Sequence, residues 1–219
     1  MYNMKKVVLI GASGFVGSAI LKEALDRNHS VTAVVRHPER ITMAHKNLIV
    51  KQGDVSHKNV VAEASNGADA VISAYNPGWK NPNIAADTIS VYRTILDGVR
   101  QSGVKRFLVV GGAGSLFISP GKRLMDSGVI PDSFLPPVRA LAGFYLIDLQ
   151  AEKIIDWVFF SPAGILEPGQ RTNNFRLGKD DLIVNSNGDS KISVQDYAVA
   201  MIDELEKPAH HRERFTIGY

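Results

Sequence analysis

Cysteine is absent from this sequence of 219 residues. Its absence excludes disulfide bonds, zinc-thiolate and iron–sulfur centres, and a cysteine nucleophile. Aromatic residues contribute only 8% and charged residues 21%, whereas hydrophobic residues contribute 45%. This balance is typical of a globular protein with a buried core, and it argues against a disordered chain, a fibre or a membrane protein.

Long hydrophobic runs are also absent near the start of the chain. Residues 1–6 lead into an apolar run that extends only from Val7 to Ile10. A secretory leader needs about 7–15 apolar residues and a membrane-spanning helix about 20. We therefore expect a cytoplasmic protein with no membrane partner.

Clusters of basic residues are absent, although the formal net charge is +3 and the isoelectric point is near 9.1. The basic residues stand singly or in pairs, as at Lys5-Lys6, among 22 acidic ones. Nucleic-acid binding requires a clustered positive surface, so we expect no nucleic-acid partner. The six histidines show no metal-ligand spacing, and we predict no metal site.

Short apolar runs alternate with longer amphipathic ones along most of the chain. The runs predict strands at 6–10, 30–35, 48–51, 68–73, 107–110 and 156–160, and helices at 15–27, 84–101, 139–155 and 194–206. Apolar strands separated by helices indicate a parallel sheet that is covered on both faces. Right-handed connections then predict an α/β, doubly wound, Rossmann-type fold with strand order 3-2-1-4-5-6.

Two regions depart from this alternation. Residues 111–137 are rich in glycine, proline and serine, a composition and length typical of a lid or binding loop. The tail from Pro162 contains short strands and one helix and is too short for a domain of its own. We therefore predict one domain over residues 1–219, in which residues 162–219 form a small C-terminal extension on the substrate side.

A glycine-rich loop follows the first strand directly and precedes the first helix. In such a loop one glycine permits a tight turn, one lets the backbone approach a pyrophosphate, and one lets helix and strand pack closely. The start of the helix adds unpaired amides and the positive end of its dipole. In this context the pattern predicts a dinucleotide site rather than a plain turn. The predicted cofactor contacts in the loop are Gly11, Ala12, Ser13, Gly14, Phe15 and Val16, with Gly17 as the third glycine.

The residue that ends the second strand favours one dinucleotide over the other. A site selective for NAD carries Asp or Glu there, which accepts a hydrogen bond from the ribose 2′-hydroxyl. This sequence has Val35-Arg36-His37 instead. Arg36 could form a forked pair with a 2′-phosphate, although a solvated surface arginine is the alternative. We predict that NADP(H) is favoured over NAD(H).

Further cofactor contacts are predicted at the carboxyl ends of the later strands, where open α/β sheets bind ligands. After the third strand, Asp54 and Val55 are placed to contact the adenine, although Asp54 could equally be the N-cap of a following helix. The exits of strands four and five contribute Ala74, Tyr75, Gly111 and Gly112.

These stretches resemble the atypical short-chain dehydrogenases/reductases of the NAD(P)-dependent epimerase/dehydratase superfamily. More narrowly, they are similar to the small NmrA-like proteins described as NADH-flavin reductases. The resemblance covers essentially the whole chain and rests on residues 11–17, 34–40, 111–116, 156–163 and 192–198. It implies an NAD(P)-binding Rossmann domain in which Pro162 and Ala163 line the nicotinamide end.

The acid–base motif Tyr-x-x-x-Lys of typical dehydrogenases is missing. Leucine or methionine stands four positions after Tyr92, Tyr145 and Tyr197, and the spacing occurs only at Tyr2 and Lys6, at the start of the first strand. Without this pair, alcohol dehydrogenation and sugar-nucleotide epimerisation are disfavoured. A flavin or quinone can instead take its proton from solvent, so that the protein only has to hold two rings together.

Two polar residues remain as catalytic candidates, Ser115 and Tyr145. Ser115 could donate a hydrogen bond to the substrate or could only cap the backbone, and Tyr145 could be a core residue. We predict an NAD(P)H-dependent oxidoreductase that passes hydride to a small planar acceptor, as a monomer or homodimer. The alternatives are a non-catalytic NADP(H)-binding redox sensor and a nucleotide-sugar epimerase or dehydratase.

Overall fold

The structure is a computed structural model that describes residues 3–219. Tyr2, which has the Tyr-x-x-x-Lys spacing with Lys6, lies outside the described residues. The strands are β1 (Lys6–Ile10), β2 (Ser30–Val35), β3 (Leu48–Gln52), β4 (Ala70–Ser73), β5 (Arg106–Val110), β6 (Phe117–Ser119), β7 (Lys122–Arg123), β8 (Asp156–Ser161), β9 (Ile165–Glu167), β10 (Arg176–Gly178), β11 (Lys191–Ser193) and β12 (Glu213–Gly218). The helices are α1 (Phe15–Asp26), α2 (Lys58–Ser65), α3 (Ile84–Ser102), α4 (Leu135–Gly143), which continues as a π-helical segment (Phe144–Leu149), and α5 (Val194–Glu206).

Eight strands form the main sheet in the order β10-β12-β8-β5-β4-β1-β2-β3. Six of these strands, in the order β3-β2-β1-β4-β5-β8, match the predicted order 3-2-1-4-5-6. This match confirms the doubly wound α/β fold. Beyond them, β12 pairs in parallel with β8, and β10 pairs with β12 in the antiparallel direction. The tail therefore extends the sheet by two strands, and two small sheets, β6-β7 and β9-β11, lie outside it.

The observed helices differ from the predicted ones in two places. Helix α2 is not among the predicted helices, although a helix after Asp54 was left as an alternative, because its eight residues show little more than two turns of apolar periodicity. The helix predicted at 139–155 begins earlier, at Leu135, and includes two prolines in its first turn. Prolines are tolerated there because the first amides of a helix have no partner within it.

The core lies on both faces of the main sheet. Side chains of α1 and α5 cover one face, and side chains of α2, α3 and the π-helical segment cover the other. The neighbours Phe159 and Phe160 illustrate the alternation, since Phe159 stacks on Tyr145 and Phe160 stacks on Tyr197 and Phe215. Within residues 3–219, no helix is both long and apolar enough to cross a membrane.

A buried carboxylate fastens the tail to the start of α5. The Asp196 side chain is fully buried and accepts hydrogen bonds from the backbone amides of Thr172 and Asn173 at 2.8 and 2.9 Å, and from the Tyr219 hydroxyl at 2.8 Å. Burial alone would raise its pKa. The hydrogen bonds outweigh burial and hold the pKa of Asp196 below its usual value.

Replacing Asp196 with asparagine is expected to destabilise the fold at neutral pH by about 1–3 kcal/mol, because part of this hydrogen-bonding set is lost. Since the folded pKa is depressed, the stabilisation is present above the unfolded pKa of about 3.9 and is lost as the pH falls through the folded value. Urea unfolding at pH 7 and pH 3 should therefore show a smaller difference between wild type and Asp196→Asn at pH 3. The exposed Asp189→Asn is the matched control, and a difference that stays constant with pH would contradict this assignment.

Candidate functional site

Gly11, in the loop between β1 and α1, and Gly17, in the first turn of α1, stand where no side chain fits. Gly11 has a φ of +80°, and a Cβ there would lie 2.4 Å from the carbonyl oxygen of Ala74. A Cβ on Gly17 would lie 2.1 Å from the carbonyl oxygen of Gly11. The loop is thus packed against the exit of β4, and α1 starts directly over the end of β1.

Gly14 marks the start of α1 and leaves open space in front of it. It is the N-cap, with extended backbone at φ −82° and ψ 172°, and no side chain caps the helix. A Cβ there would meet only the Gly11 carbonyl oxygen, at 3.3 Å. The exposed N-terminus of α1 can therefore take an anion where a capping side chain would otherwise lie.

The other loop residues divide between surface and core. Ser13 and Phe15 are exposed and Val16 is half-buried, whereas Ala12 is fully buried in the core. Ala12 can therefore reach a cofactor only through its backbone.

A cavity of about 590 Å³ opens from the start of α1. It lies where the exits of β1, β4 and β5 meet, as expected for an open α/β sheet. The structure brings eight of the predicted site residues to its wall. They are Gly14, Phe15, Val16, Ala74, Tyr75, Gly111, Gly112 and Ser115.

The rest of the cavity wall was not named residue by residue, although the loop after β4 and residues 111–137 were predicted as binding segments. It also comes from β5, α3, α4 and β9, and it is mostly apolar. A turn signal after the fourth strand was visible in the sequence, but nothing there indicated which face of α4 lines a site. The additional lining residues are Asn76, Pro77, Gly78, Trp79, Thr88, Tyr92, Val110, Ala113, Gly114, Pro137, Val138, Leu141, Ala142 and Leu166.

Two tyrosines are the titratable side chains that line this cavity in the described part of the chain. Tyr92 is fully buried, and its hydroxyl donates to the Tyr75 carbonyl oxygen at 3.0 Å. Burial raises the pKa of Tyr92 and raises that of Tyr75 to about 12. Both therefore remain neutral at physiological pH and cannot act as general bases in the way that a tyrosine activated by lysine does.

Arg36 lies exposed at the end of β2, outside this cavity. Within residues 3–219 it forms no ion pair with a carboxylate, although its charge reaches both Asp54 and Tyr75. A guanidinium with no carboxylate within 4 Å is available to an incoming phosphate.

Asp54 closes a turn ahead of α2. Its Oδ1 accepts a hydrogen bond from the Ser56 amide at 2.9 Å, and this bond, helped by the charge of Arg36, lowers the pKa of Asp54. The N-cap of α2 is His57, so the alternative that Asp54 is the N-cap is wrong. Val55 is buried in the core beside it.

This cavity is not lined by Pro162 or Ala163, which were predicted at the nicotinamide end, or by the catalytic candidate Tyr145. Pro162 and Ala163 are buried, and Ala163 packs into the core on the α1 side of the sheet. Tyr145 is 5% exposed and stacks on Phe159, with ring centroids 4.7 Å apart. Its placement matches the alternative of a core tyrosine.

Ser115 lies at the cavity wall and is 1% exposed. Both its carbonyl oxygen and its Oγ accept hydrogen bonds from Nη1 of Arg214, each at 2.9 Å. Arg214 lies on the last strand and was not singled out from the sequence, since 99 residues separate it from Ser115.

Comparisons with known proteins agree with this geometry. A family model described as NAD(P)H-binding matches residues 11–208. The protein YwnB of Bacillus subtilis is 42% identical over 217 residues, and the match covers 97% of each chain.

Solved structures give the same picture. A candidate epimerase from Bacteroides thetaiotaomicron is 63% identical and superposes with a TM-score of 0.94, covering 99% of this chain and 98% of that one. A candidate NADH-flavin reductase from Streptococcus pneumoniae is 34% identical, with a TM-score of 0.83 and coverage of 98% and 99%. The chain therefore belongs to the NAD(P)H-binding family and has a Rossmann-type fold.

Proposed function

We propose that this protein is an NAD(P)H-dependent reductase of a planar, conjugated acceptor such as a flavin or quinone. The observation that carries the proposal is the cavity of about 590 Å³, which starts at the glycine loop and has mostly apolar walls. Such walls suit a flat ring system. The two tyrosines at the wall, with raised pKa values, suit neither alcohol oxidation nor the epimerase chemistry for which the Bacteroides relative is named.

The glycine loop fits the diphosphate of a dinucleotide. Gly14 has no Cβ, so the space in front of the α1 amides is left for the diphosphate. Backbone amides of residues 13–16 would hold the diphosphate there, and Arg36 would hold a 2′-phosphate, so that NADPH is favoured over NADH. Asp54 would contact the adenine, and Val55, whose side chain is buried, would do so through its backbone. When bound, the reduced coenzyme supplies a hydride.

The acceptor would occupy the apolar half of the cavity. Val138 and Leu141 of α4 form part of that wall, and Trp79 and Phe134 meet edge to face, with centroids 5.4 Å apart, while both stay exposed. Exposed aromatic rings beside an apolar cavity suit a planar ligand because each ring offers a face or an edge for stacking.

Replacing Ser115 with alanine is expected to lower turnover at least about tenfold, because the acceptor loses a hydrogen-bond donor at the point where charge develops. The exposed Ser119→Ala in β6 is the matched control and should keep the wild-type rate. Steady-state rates with a quinone at saturating NADPH provide the measurement. Equal rates for wild type and Ser115→Ala would remove Ser115 from the proposed chemistry.

The experiment that tests the function is NADPH consumption with a panel of flavins and quinones. We expect steady turnover with at least one of them. Thermal stabilisation by NADP(H), with no turnover on any acceptor, would contradict the reductase and favour a redox sensor. Ligand at about 100 times its dissociation constant adds roughly 2.7 kcal/mol of stability, so the stabilisation is readily measured.

A further inference from the structure

Arg214 is a buried cation held from three sides. It lies on β12 and is 4% exposed. Its Nε donates to Oδ1 of Asp180 at 2.9 Å, and its guanidinium carbon lies 4.9 Å from the centre of the Tyr145 ring. On the third side, Nη1 donates to both oxygens of Ser115. Burying a charge is costly unless it is paired and hydrogen-bonded, and these contacts meet that requirement.

The guanidinium separates two spaces of different character. Ser115 lines the apolar cavity, whereas Arg214, Asp180 and Tyr145 line a polar pocket of about 470 Å³ on the other side. The Asp180 side chain is 54% exposed, so the negative partner is in contact with water. The positive charge is therefore fixed beside the hydroxyl of Ser115, a residue that lines the cavity.

The direction of the hydrogen bond to Ser115 follows from the chemistry of arginine. A guanidinium only donates and keeps its proton, so the Ser115 Oγ must be the acceptor. The hydroxyl hydrogen is left for another partner. A hydroxyl that accepts from a cation is itself a stronger donor, because hydrogen bonds in a chain polarise one another.

We propose that Arg214 is a positioning residue that directs and polarises the Ser115 hydroxyl toward the oxygen or ring nitrogen of the acceptor. The inference rests on the proposed reductase function. Tyr145 then supports the cation with its ring face, which gives this tyrosine a role without contact to substrate.

The reaction balances with a reduced nicotinamide dinucleotide as the reductant. The acceptor gains two electrons and one hydrogen as a hydride and becomes an anion, while the coenzyme is oxidised. Ser115 donates a hydrogen bond to that anion without transferring its proton. Water supplies the second hydrogen as a proton, and Arg214 stays charged throughout.

A double-mutant cycle on turnover tests the coupling. We expect Arg214→Met to lower kcat about tenfold with the KM for NADPH unchanged, and Arg214→Lys to recover part of the loss. In a Ser115→Ala background, Arg214→Met should have no further effect on kcat, because the group through which it acts is gone. Arg212→Met removes a neighbouring exposed arginine and should behave like wild type. Full additivity of the two substitutions would overturn the proposal.

A binding experiment keeps the proposal separate from the reductase function. In the presence of NADP⁺, 4-nitrophenol serves as an anionic probe whose phenol and phenolate forms differ in colour. At fixed pH, the bound phenolate-to-phenol ratio should fall about tenfold in Arg214→Met and equally in Ser115→Ala. If that loss is seen with no turnover on any acceptor, the Arg214–Ser115 pair stands and the reductase function fails. An unchanged ratio, or no binding of the probe, would overturn the pair even where turnover is present.

Discussion

Replacing Gly14 with alanine is expected to weaken coenzyme binding about 100-fold, roughly 2.7 kcal/mol, while the fold stays intact. The backbone of Gly14 is extended, a conformation that alanine adopts without strain. The nearest atom to a new Cβ is the Gly11 carbonyl oxygen at 3.3 Å, so the folded protein has to give by only a few tenths of an ångström. The methyl group would nevertheless stand between the α1 amides and the diphosphate, and charge-assisted hydrogen bonds of about 1.5–3 kcal/mol would be lost.

Two other glycines make this prediction specific. A Cβ on Gly143 in α4 would meet no neighbouring atom within 4 Å, so Gly143→Ala should keep wild-type affinity. Gly17→Ala would bring a Cβ to 2.1 Å from the Gly11 carbonyl oxygen and should destabilise the protein itself. Calorimetric affinity and the melting temperature, measured on all three variants, separate the effects. Wild-type affinity in Gly14→Ala would contradict the proposed place of the diphosphate.

Replacing Arg36 with aspartate is expected to change the NADPH-to-NADH affinity ratio about 100-fold in favour of NADH. The substitution removes a cation that can pair with the 2′-phosphate and introduces a carboxylate that repels it and can accept from the ribose hydroxyl. Arg36 is exposed and forms no ion pair within residues 3–219, so its loss should leave stability nearly unchanged.

Arg40→Asp provides the matched control for charge. Arg40 is also exposed and lies just beyond β2, at the end of a short 3₁₀ turn. Only the Arg36 variant should alter the ratio of dissociation constants for NADPH and NADH. An unchanged ratio of the NADPH and NADH dissociation constants in Arg36→Asp would contradict the proposed preference for NADPH.

The parts of the fold that the sequence predicts are those with local signals. Each of the six strands in the doubly wound order (β1 to β5 and β8) is an apolar run in the sequence. The glycine loop follows β1 directly. The handedness of the connections then restricts the strand order. Helix α2 has only eight residues, too few for a clear helical period, and its bounds were missed for that reason.

The walls of the site depend on contacts between distant parts of the chain. Such contacts produce no regular residue spacing in the sequence. Arg214 meets Ser115 across 99 residues, and Leu166 reaches the cavity from β9. Tyr145 lies in a π-helical segment, whose wider turn does not follow the 3.6-residue period used to assign helix faces. The sequence therefore predicts more of the cavity wall near the start of α1 than of the wall that α3, α4 and β9 form.

We propose that amides at the start of α1 hold the diphosphate of a nicotinamide dinucleotide. Calorimetric titration of the unaltered protein with NADPH, NADP⁺, NADH and NAD⁺ tests it most directly. We predict a heat of binding with one coenzyme per chain and tighter binding of the two phosphorylated forms. The absence of binding heat with all four coenzymes would contradict the account.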